Sequence, residues 1–185
     1  MKPQEFKPLQ TKRLDLKPLV ATFDFANKLF DIISNNRDFF KFMPFIAETK
    51  SPEEEFDFLR SAEKNWKNQS CAEYGLFLNT TGDFIGICSF YFKEKNRETG
   101  EIGYWLNPKY SGQGFMSEAL NAIANAFFDI GVQRIQLTIN PDNIASWKTA
   151  EKCGFEQEGI MRSAWYNPVL KRRENMAMYA KINEK

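Results

Sequence analysis

The stretch EIGYWLNPKYSGQGFMSEAL, residues 101–120, combines a strand pattern, two closely spaced glycines and the start of a helix. Residues 101–106 are typical of a strand, and residues 111–130 have apolar positions spaced by three and four up to a glycine stop. Glycines let the backbone approach a phosphate closely, and the unpaired N–H groups of a helix start favour negative charge. The turn at Gly112 and Gly114 is therefore a candidate anion-binding site.

This glycine turn differs from two common nucleotide-binding motifs. A dinucleotide-binding turn would need a third glycine where Ser117 stands, and a P-loop would need Gly-Lys-Ser/Thr, which is absent. A Gly-x-Gly pair at a helix start is a weak signal alone, so a turn that merely begins a helix remains the alternative.

Short turn signals divide the rest of the chain into elements, without a linker or an internal repeat. In order, the patterns predict a strand (11–16), helices (22–36 and 51–68), strands (74–78, 84–92 and 101–106), a helix (111–130), a strand (134–140), a helix (143–152) and strands (155–165 and 174–182). Between the first two helices lies a bulky apolar loop at residues 39–46, and Ser51, Pro52 and Glu54 predict a capping box. A strand–helix–strand crossover after three consecutive strands predicts a mixed α/β sheet with one parallel pair.

Length and composition indicate one domain with a sizeable core. The chain has 185 residues, 43% of them hydrophobic, and 18 are Phe. We therefore expect a single domain over residues 1–185, with its core at about residues 11–183. Lys and Arg number 25 against 24 Asp and Glu, so no field of one sign would hold the chain on nucleic acid or an anionic membrane.

The cysteine and histidine content narrows the chemistry. Cys71, Cys88 and Cys153 lie far apart and lack zinc or redox spacing, so free buried thiols are expected. The absence of histidine removes serine-protease-type triads and most catalytic zinc sites, and no metal is expected. No apolar run long enough to span a membrane occurs, and the N-terminus lacks a secretory pattern, which favours the cytoplasm.

Residues 101–120 resemble motif A of the GNAT acetyltransferases, in particular the ribosomal-protein N-acetyltransferase (RimJ/RimL-like) branch. Four more stretches follow the order of that branch: TKRLDLKPL (11–19), NNRDFFKFMPF (35–45), NPDNIASWKTAEKCGF (140–155) and EGIMRSAWY (158–166). The resemblance thus covers nearly the whole chain. It implies a GNAT fold, a central mixed and mostly antiparallel sheet flanked by helices. It also implies transfer of an acetyl group from acetyl-CoA to a primary amine, with a protein N-terminal α-amine as the favoured acceptor.

The resemblance also implies which residues hold the coenzyme. Backbone amides of Gly112, Gln113, Gly114, Phe115 and Met116, with the Ser117 hydroxyl, would bind the pyrophosphate of coenzyme A. In the family, the strand of motif A and the next strand diverge, and the pantetheine arm lies between them. Main-chain groups of Trp105 and Leu106 and the side chains of Asn140 and Asn143 would hydrogen-bond that arm. One departure is Lys109, where the family commonly has Gln or Arg, and a simple helix N-cap is the alternative role for Asn143.

Two residues are candidates for catalysis. Glu101 stands where many GNAT enzymes have a catalytic Glu, and it would take a proton from the amine directly or through water. A solvated charge at a strand start is the alternative. Ser146 matches a serine that lies near the coenzyme sulfur in the RimJ/RimL-like branch, whereas the tyrosine with which many members protonate the departing thiolate is replaced by Ala150. Ser146 or water is therefore the candidate donor to the leaving group. A backbone N–H near Trp105 or Leu106 would stabilise the oxyanion.

Substrate and partners are less constrained by the sequence. The loop at residues 39–46 could wall an acceptor groove or a dimer contact, although covering the core is the simpler role. Acidic residues at positions 53–57 could attract a cationic acceptor, or merely complement the helix dipole. Acetylation of a polyamine or an aminoglycoside, and a non-catalytic acetyl-CoA-binding module, are the rival functions. A homodimer is left open.

Overall fold

The computed structural model describes residues 5–184, which form eight strands and five α-helices. The strands are β1 (Leu9–Gln10), β2 (Leu14–Pro18), β3 (Cys71–Leu78), β4 (Phe84–Phe92), β5 (Thr99–Leu106), β6 (Arg134–Ile139), β7 (Glu156–Asn167) and β8 (Arg172–Ile182). The helices are α1 (Phe23–Ser34), α2 (Pro44–Ala47), α3 (Pro52–Lys67), α4 (Phe115–Asp129) and α5 (Ile144–Lys152). The expectation of no secretory signal depends on residues 1–4, which lie outside the described residues. Between residues 5 and 184, no helix has the length and apolar character needed to span a membrane.

All eight strands belong to one mixed sheet with the order β1-β2-β3-β4-β5-β6-β8-β7. Every neighbouring pair is antiparallel except β5 and β6, which run parallel and are joined through α4. The prediction of a mixed α/β sheet with one parallel crossover pair is confirmed.

Helices cover both faces of this sheet. On one face, α4 presents its apolar stripe to the core, and the rings of Phe90 and Phe127 stack with centroids 3.5 Å apart. On the other face, Leu29 of α1 and Leu59 of α3 are fully buried in a second cluster with Trp105. Because side chains alternate along a strand, neighbouring residues of β5 face different helix layers.

The start of α4 lies later than the sequence pattern predicts. Residues 108–110 form a short 3₁₀ turn, and Gly112 and Gly114 have φ values of 75° and 79°. These left-handed conformations suit glycine and cannot belong to a right-handed helix. The helix therefore begins at Phe115, with Gly114 as its N-cap.

The capping box predicted for α3 is wrong. Pro52 occupies the first helical position as expected, but the Ser51 side chain makes no capping hydrogen bond. Glu54 accepts a hydrogen bond from the backbone N–H of Lys50 at 2.9 Å, one residue earlier than a capping box requires. The preceding apolar loop is also partly helical, with a 3₁₀ turn at Arg37–Phe40 followed by α2.

The parallel strands β5 and β6 separate after three residue pairs. Pairing runs from Thr99 with Arg134 to Glu101 with Gln136 and then stops, although β5 continues to Leu106. We call the gap between residues 102–106 and residues 137–140 the fork. This divergence matches the arrangement that the family resemblance implies for the two strands.

Candidate active site

A cleft of about 1470 Å³ passes through the fork and connects the two faces of the sheet. Its lining includes the start of α4 and the first turns of α5 on one side, and the loop of residues 38–46 with Glu73 and Glu101 on the other. Pockets for one small ligand commonly measure roughly 300–1,000 Å³. The cleft is therefore larger than a single small ligand usually needs, and its lining comes from both faces of the sheet.

The N-terminus of α4 forms one end of this cleft. Its first intrahelical hydrogen bond runs from the Glu118 N–H to the Gly114 carbonyl at 3.1 Å. The N–H groups of the residues between them, Phe115, Met116 and Ser117, are left for another acceptor. Gly114 has no side chain to cap them. The geometry suits an anionic group, which the helix dipole also favours.

Arg13 and Glu118 hold the glycine turn in place. The Arg13 guanidinium donates to Glu118 at 2.6 Å and to the Gln113 carbonyl at 2.9 Å, and it lies 4.3 Å from the centre of the Phe115 ring. Burial would raise the pKa of Glu118, but hydrogen bonds from Thr11 and Arg13 outweigh it and hold the pKa below its usual value. The turn between β1 and β2 is thus joined to the start of α4 through a carboxylate.

Backbone groups inside the fork come from alternate residues of β5. Hydrogen bonds from Lys93 N–H to the Thr99 carbonyl and from Asn107 N–H to the Ile85 carbonyl fix the pairing with β4. Trp105 lies opposite Ile87 in this register, so its N–H and C=O are turned toward β4. The main-chain groups of Leu106, and of Tyr104 before it, face the fork. Leu106 therefore fits the expected main-chain role, and Trp105 does not.

Two asparagines flank the fork after β6. Asn140 is 5% exposed, and its Oδ1 accepts the Asp142 N–H at 2.9 Å. Its Nδ2 is buried and makes no hydrogen bond of good geometry among the described residues, although a weak contact with the Glu174 carboxylate helps to lower the pKa of that group. Such a donor is costly to bury unless a ligand satisfies it. Asn143 is the N-cap of α5, and its side chain accepts the Ser146 N–H at 3.3 Å. Asn143 therefore has the helix-capping role that was the alternative to coenzyme binding.

Glu101 is the last residue of β5 that pairs with β6, and 13% of its side chain is exposed. Its Oε2 accepts hydrogen bonds from Lys93 Nζ and from Gln136 Nε2, each at 2.9 Å. Burial would raise the pKa of Glu101, but hydrogen bonds from Lys93, Gln136 and Tyr91 outweigh it and lower the pKa. The side chain is therefore an ionised carboxylate at neutral pH.

Ser146 lies in the first turn of α5 and meets a tyrosine from the opposite element. Its hydroxyl donates to the Tyr104 hydroxyl at 3.1 Å, and the Tyr104 hydroxyl donates to the Ser146 carbonyl at 2.9 Å. Ala150, one turn further along α5, is fully buried. Both Ser146 and Tyr104 line the cleft, on the face of the sheet opposite Glu101.

A family model for the acetyltransferase (GNAT) domain matches residues 13–156, which is most of the chain. The chain belongs to the GNAT acetyltransferase family. It is 31% identical to a probable N-acetyltransferase, YjcK, of Bacillus subtilis, over 83% of this chain and 86% of that protein. These similarities identify it as an N-acetyltransferase, as predicted.

Other relatives of this GNAT domain include ribosomal-protein acetyltransferases, which agrees with the RimJ/RimL-like branch. The ribosomal-protein-serine acetyltransferase of Escherichia coli is 36% identical over 44% of this chain and 46% of its own length. Among solved structures, RimL, described as the ribosomal L7/L12 alpha-N-protein acetyltransferase in complex with coenzyme A, is similar with a TM-score of 0.85. At 23% identity over 97% of this chain and 100% of RimL, that similarity shows the GNAT fold.

Most of the residues predicted for this GNAT site line the cleft. The predicted residues in its lining are Trp105, Leu106, Gly112, Gly114, Phe115, Met116, Ser117, Asn140 and Asn143 for the coenzyme, and Glu101 and Ser146 for catalysis. Gln113 is the exception. Its carbonyl accepts from Arg13, and its amide is turned back to the Lys109 carbonyl at 3.5 Å. Any contact of Gln113 with coenzyme would come from its backbone N–H.

The apolar loop of this GNAT domain covers the core and also lines the cleft. Phe40 is 1% exposed and packs edge-on against Trp105, so it covers the core. Other side chains of the loop line the cleft: Phe39, Phe42, Met43 and Phe45. Phe45 is 73% exposed. The loop therefore walls the side of the cleft that carries Glu101.

Carboxylates also line this side of the cleft, namely Glu54, Glu55 and Glu73 in addition to Glu101. Burial raises the pKa of Glu55, with a smaller opposing effect of a hydrogen bond with Thr49.

Among residues 5–184, no group of three or more Cys, Asp or Glu side chains is arranged to hold a metal ion. Cys88 and Cys153 are buried and Cys71 is half-buried, and all three are free thiols.

Sequence reasoning missed two residues of the site. Arg13 is close to Glu118 only through the tertiary fold, and nothing local to it indicates that partner. Tyr104 lies within the quoted motif, and its position on β5, one residue out of phase with Glu101 and Trp105, was the available signal that it faces α5.

Proposed function

We propose that this N-acetyltransferase transfers the acetyl group of acetyl-CoA to the α-amine at the N-terminus of a protein or peptide. The observation that carries the proposal is the continuity of the cleft, from the anion-binding start of α4, through the fork, to a face lined by aromatic and acidic side chains. The names of the ribosomal-protein acetyltransferase relatives support a protein acceptor. We also propose a cytoplasmic location.

The coenzyme would lie along the α4 and α5 side of the sheet. Its pyrophosphate fits the free N–H groups of Phe115, Met116 and Ser117. Its amide-containing arm fits the fork, where the Leu106 main chain and the weakly held Asn140 Nδ2 offer hydrogen bonds. The thioester would then reach the point where Glu101 and Ser146 approach from opposite faces.

Acetyl transfer requires a neutral amine, whereas amines are largely protonated near pH 7. Three donors already surround the Glu101 carboxylate, so we propose that it takes the amine proton through a bridging water. The nitrogen lone pair attacks the thioester carbon, and a main-chain N–H of the fork, at Leu106 or Tyr104, stabilises the oxyanion. The C–S bond then breaks with its electron pair on sulfur, next to Ser146.

Replacing Ser146 by alanine should slow turnover by about ten- to a hundredfold, because a hydroxyl hydrogen bond in the transition state contributes about 1–3 kcal/mol. The Ser146 N–H, which donates to Asn143, is kept in the variant, so the helix cap is preserved and the fold should remain. Steady-state kcat, assayed well below the melting temperature, measures the effect. A variant with a reduced melting temperature and full kcat would contradict the catalytic role and show that Ser146 is only structural.

The acceptor is tested with a panel of amines and detection of the released thiol. Peptides with a free N-terminus should react faster than N-terminally blocked peptides with lysine, polyamines or aminoglycosides. The kcat/KM of an α-amine acceptor should level off near its pKa of about 8, whereas a lysine amine would keep gaining rate toward about pH 10. Preferred turnover of a polyamine would contradict the proposal, and tight coenzyme binding without turnover of any amine would favour a binding module.

A further inference from the structure

Tyr104 and Ser146 form a closed pair of hydrogen bonds at the edge of the fork. The serine hydroxyl donates to the tyrosine hydroxyl at 3.1 Å, and the tyrosine hydroxyl donates to the serine carbonyl at 2.9 Å. In this arrangement the Ser146 proton points at the tyrosine rather than into the cleft. An unassisted serine would have to break this bond before it could donate to a ligand.

We infer that Tyr104 is a positioning residue for Ser146, which fixes the serine hydroxyl at the fork and supports its hydrogen bond to the departing sulfur. The inference rests on the proposed leaving-group role of Ser146. Tyr104 lies on β5, two residues before Leu106, and its side chain points to the face covered by α4 and α5. The partner of the α5 serine is therefore supplied by the strand of the fork itself.

The change that supports catalysis needs only two hydroxyl rotations. Hydroxyl hydrogens rotate to suit their acceptors. As negative charge develops on sulfur, the Ser146 proton turns from Tyr104 to the sulfur, and the Tyr104 proton turns from the Ser146 carbonyl to the Ser146 Oγ. Hydrogen bonds in such a chain polarise one another, so the tyrosine strengthens the serine as a donor. No heavy atom has to move.

Protons and electrons balance without ionising the tyrosine. The electron pair of the C–S bond ends on sulfur, which receives a hydrogen bond from Ser146 and later a proton from solvent. Burial raises the pKa of the Tyr104 phenol, and this effect is larger than the opposing one of its hydrogen bond with Ser146. The phenol therefore keeps its proton throughout and acts as a donor only.

The pair could instead serve only to hold α5 against β5, and the thiol of bound coenzyme A separates these roles. Coenzyme A alone is added to the protein, and the thiolate absorbance is titrated against pH with the protein alone as the blank. A donor to the thiolate lowers the pKa of the bound thiol. In Tyr104→Phe we expect that pKa to be about one unit higher than in the wild type, because a hydrogen bond to a charged group is weakened.

Three further variants complete the test. Ser146→Ala should raise the bound thiol pKa by at least as much, and Tyr104→Phe combined with Ser146→Ala should raise it no further than Ser146→Ala alone, because the tyrosine acts through the serine. Tyr179→Phe is the matched control. It removes a hydroxyl that donates to Gln157 at 3.1 Å, away from the cleft, and should leave the bound thiol pKa unchanged.

Activity gives an independent comparison with any acceptor that turns over. Tyr104→Phe should lower kcat by about three- to tenfold with little change in the KM of acetyl-CoA, and the double variant should be no slower than Ser146→Ala. A thiol pKa that shifts in Ser146→Ala but not in Tyr104→Phe overturns the inference and leaves the role of Ser146 intact. A thiol pKa unmoved in both variants removes the leaving-group role itself. The identity of the acceptor amine does not affect the thiol titration, because no acceptor is present in it.

Discussion

Replacing Gly114 by valine should abolish the rise in melting temperature that acetyl-CoA gives to the wild-type protein. Gly114 has a φ of 79°, and a β-branched side chain at this angle costs about 1–2 kcal/mol or forces the turn to change. A changed turn moves the N–H groups of Phe115, Met116 and Ser117 away from a common point. Ligand that binds only the folded state stabilises it, by about 2.7 kcal/mol at a hundred times Kd. Thermal unfolding with and without acetyl-CoA measures the loss.

Gly82→Val is the matched control for this experiment. Gly82 has a φ of 75°, no atom lies within 4 Å of the position its Cβ would take, and the turn joins β3 to β4 away from the cleft. The control should lose melting temperature because of the same backbone strain, yet it should keep the full shift with acetyl-CoA. An equally large shift in Gly114→Val would remove the assignment of the glycine turn to the coenzyme phosphates.

The features that the sequence predicts well are those with a local pattern. The apolar stripe of α4 recurs over several turns, and β5, α4 and β6 follow one another closely, so the parallel crossover follows from the pattern alone. Boundaries are less certain, because they depend on contacts beyond the element. The strand predicted at residues 11–16 is β2, which begins only at Leu14, since the Thr11 hydroxyl and the Arg13 backbone N–H before it both donate to Glu118.

The parts of the site that sequence reasoning misses depend on distant partners. The Arg13 contact with Glu118 joins residues 105 positions apart, and the Tyr104 contact with Ser146 joins residues 42 positions apart. The sequence also does not show which way the main-chain groups of β5 point. To tell that the N–H and C=O of Leu106, and not those of Trp105, face the fork, one needs the register of β4 against β5, which the pattern of a single strand does not reveal.

Glu101→Gln should lower kcat by roughly 10²–10⁴-fold, the usual contribution of a positioned general base, with the affinity for acetyl-CoA nearly unchanged. Glutamine keeps the size of the side chain but cannot take a proton, and its amide would present a donor where Lys93 and Gln136 now donate to a carboxylate. Binding of the coenzyme depends on the start of α4, which Glu101 does not contact. Steady-state kinetics and thermal shifts with acetyl-CoA separate the two effects.

The pH dependence of this variant follows from the contacts of Glu101. Burial raises the pKa of the Glu101 carboxyl, but the hydrogen bonds from Lys93, Gln136 and Tyr91 lower it by more than burial raises it. The base is therefore fully ionised from pH 6 to 9. The wild-type rate should therefore rise with pH only as the amine loses its proton, and Glu101→Gln should reduce the rate by a similar factor throughout. Glu158→Gln is the matched control, because it removes an exposed carboxylate paired with Arg134 at 2.5 Å outside the cleft. Rates equal to the wild type in Glu101→Gln across this range would return Glu101 to a structural ion pair with Lys93.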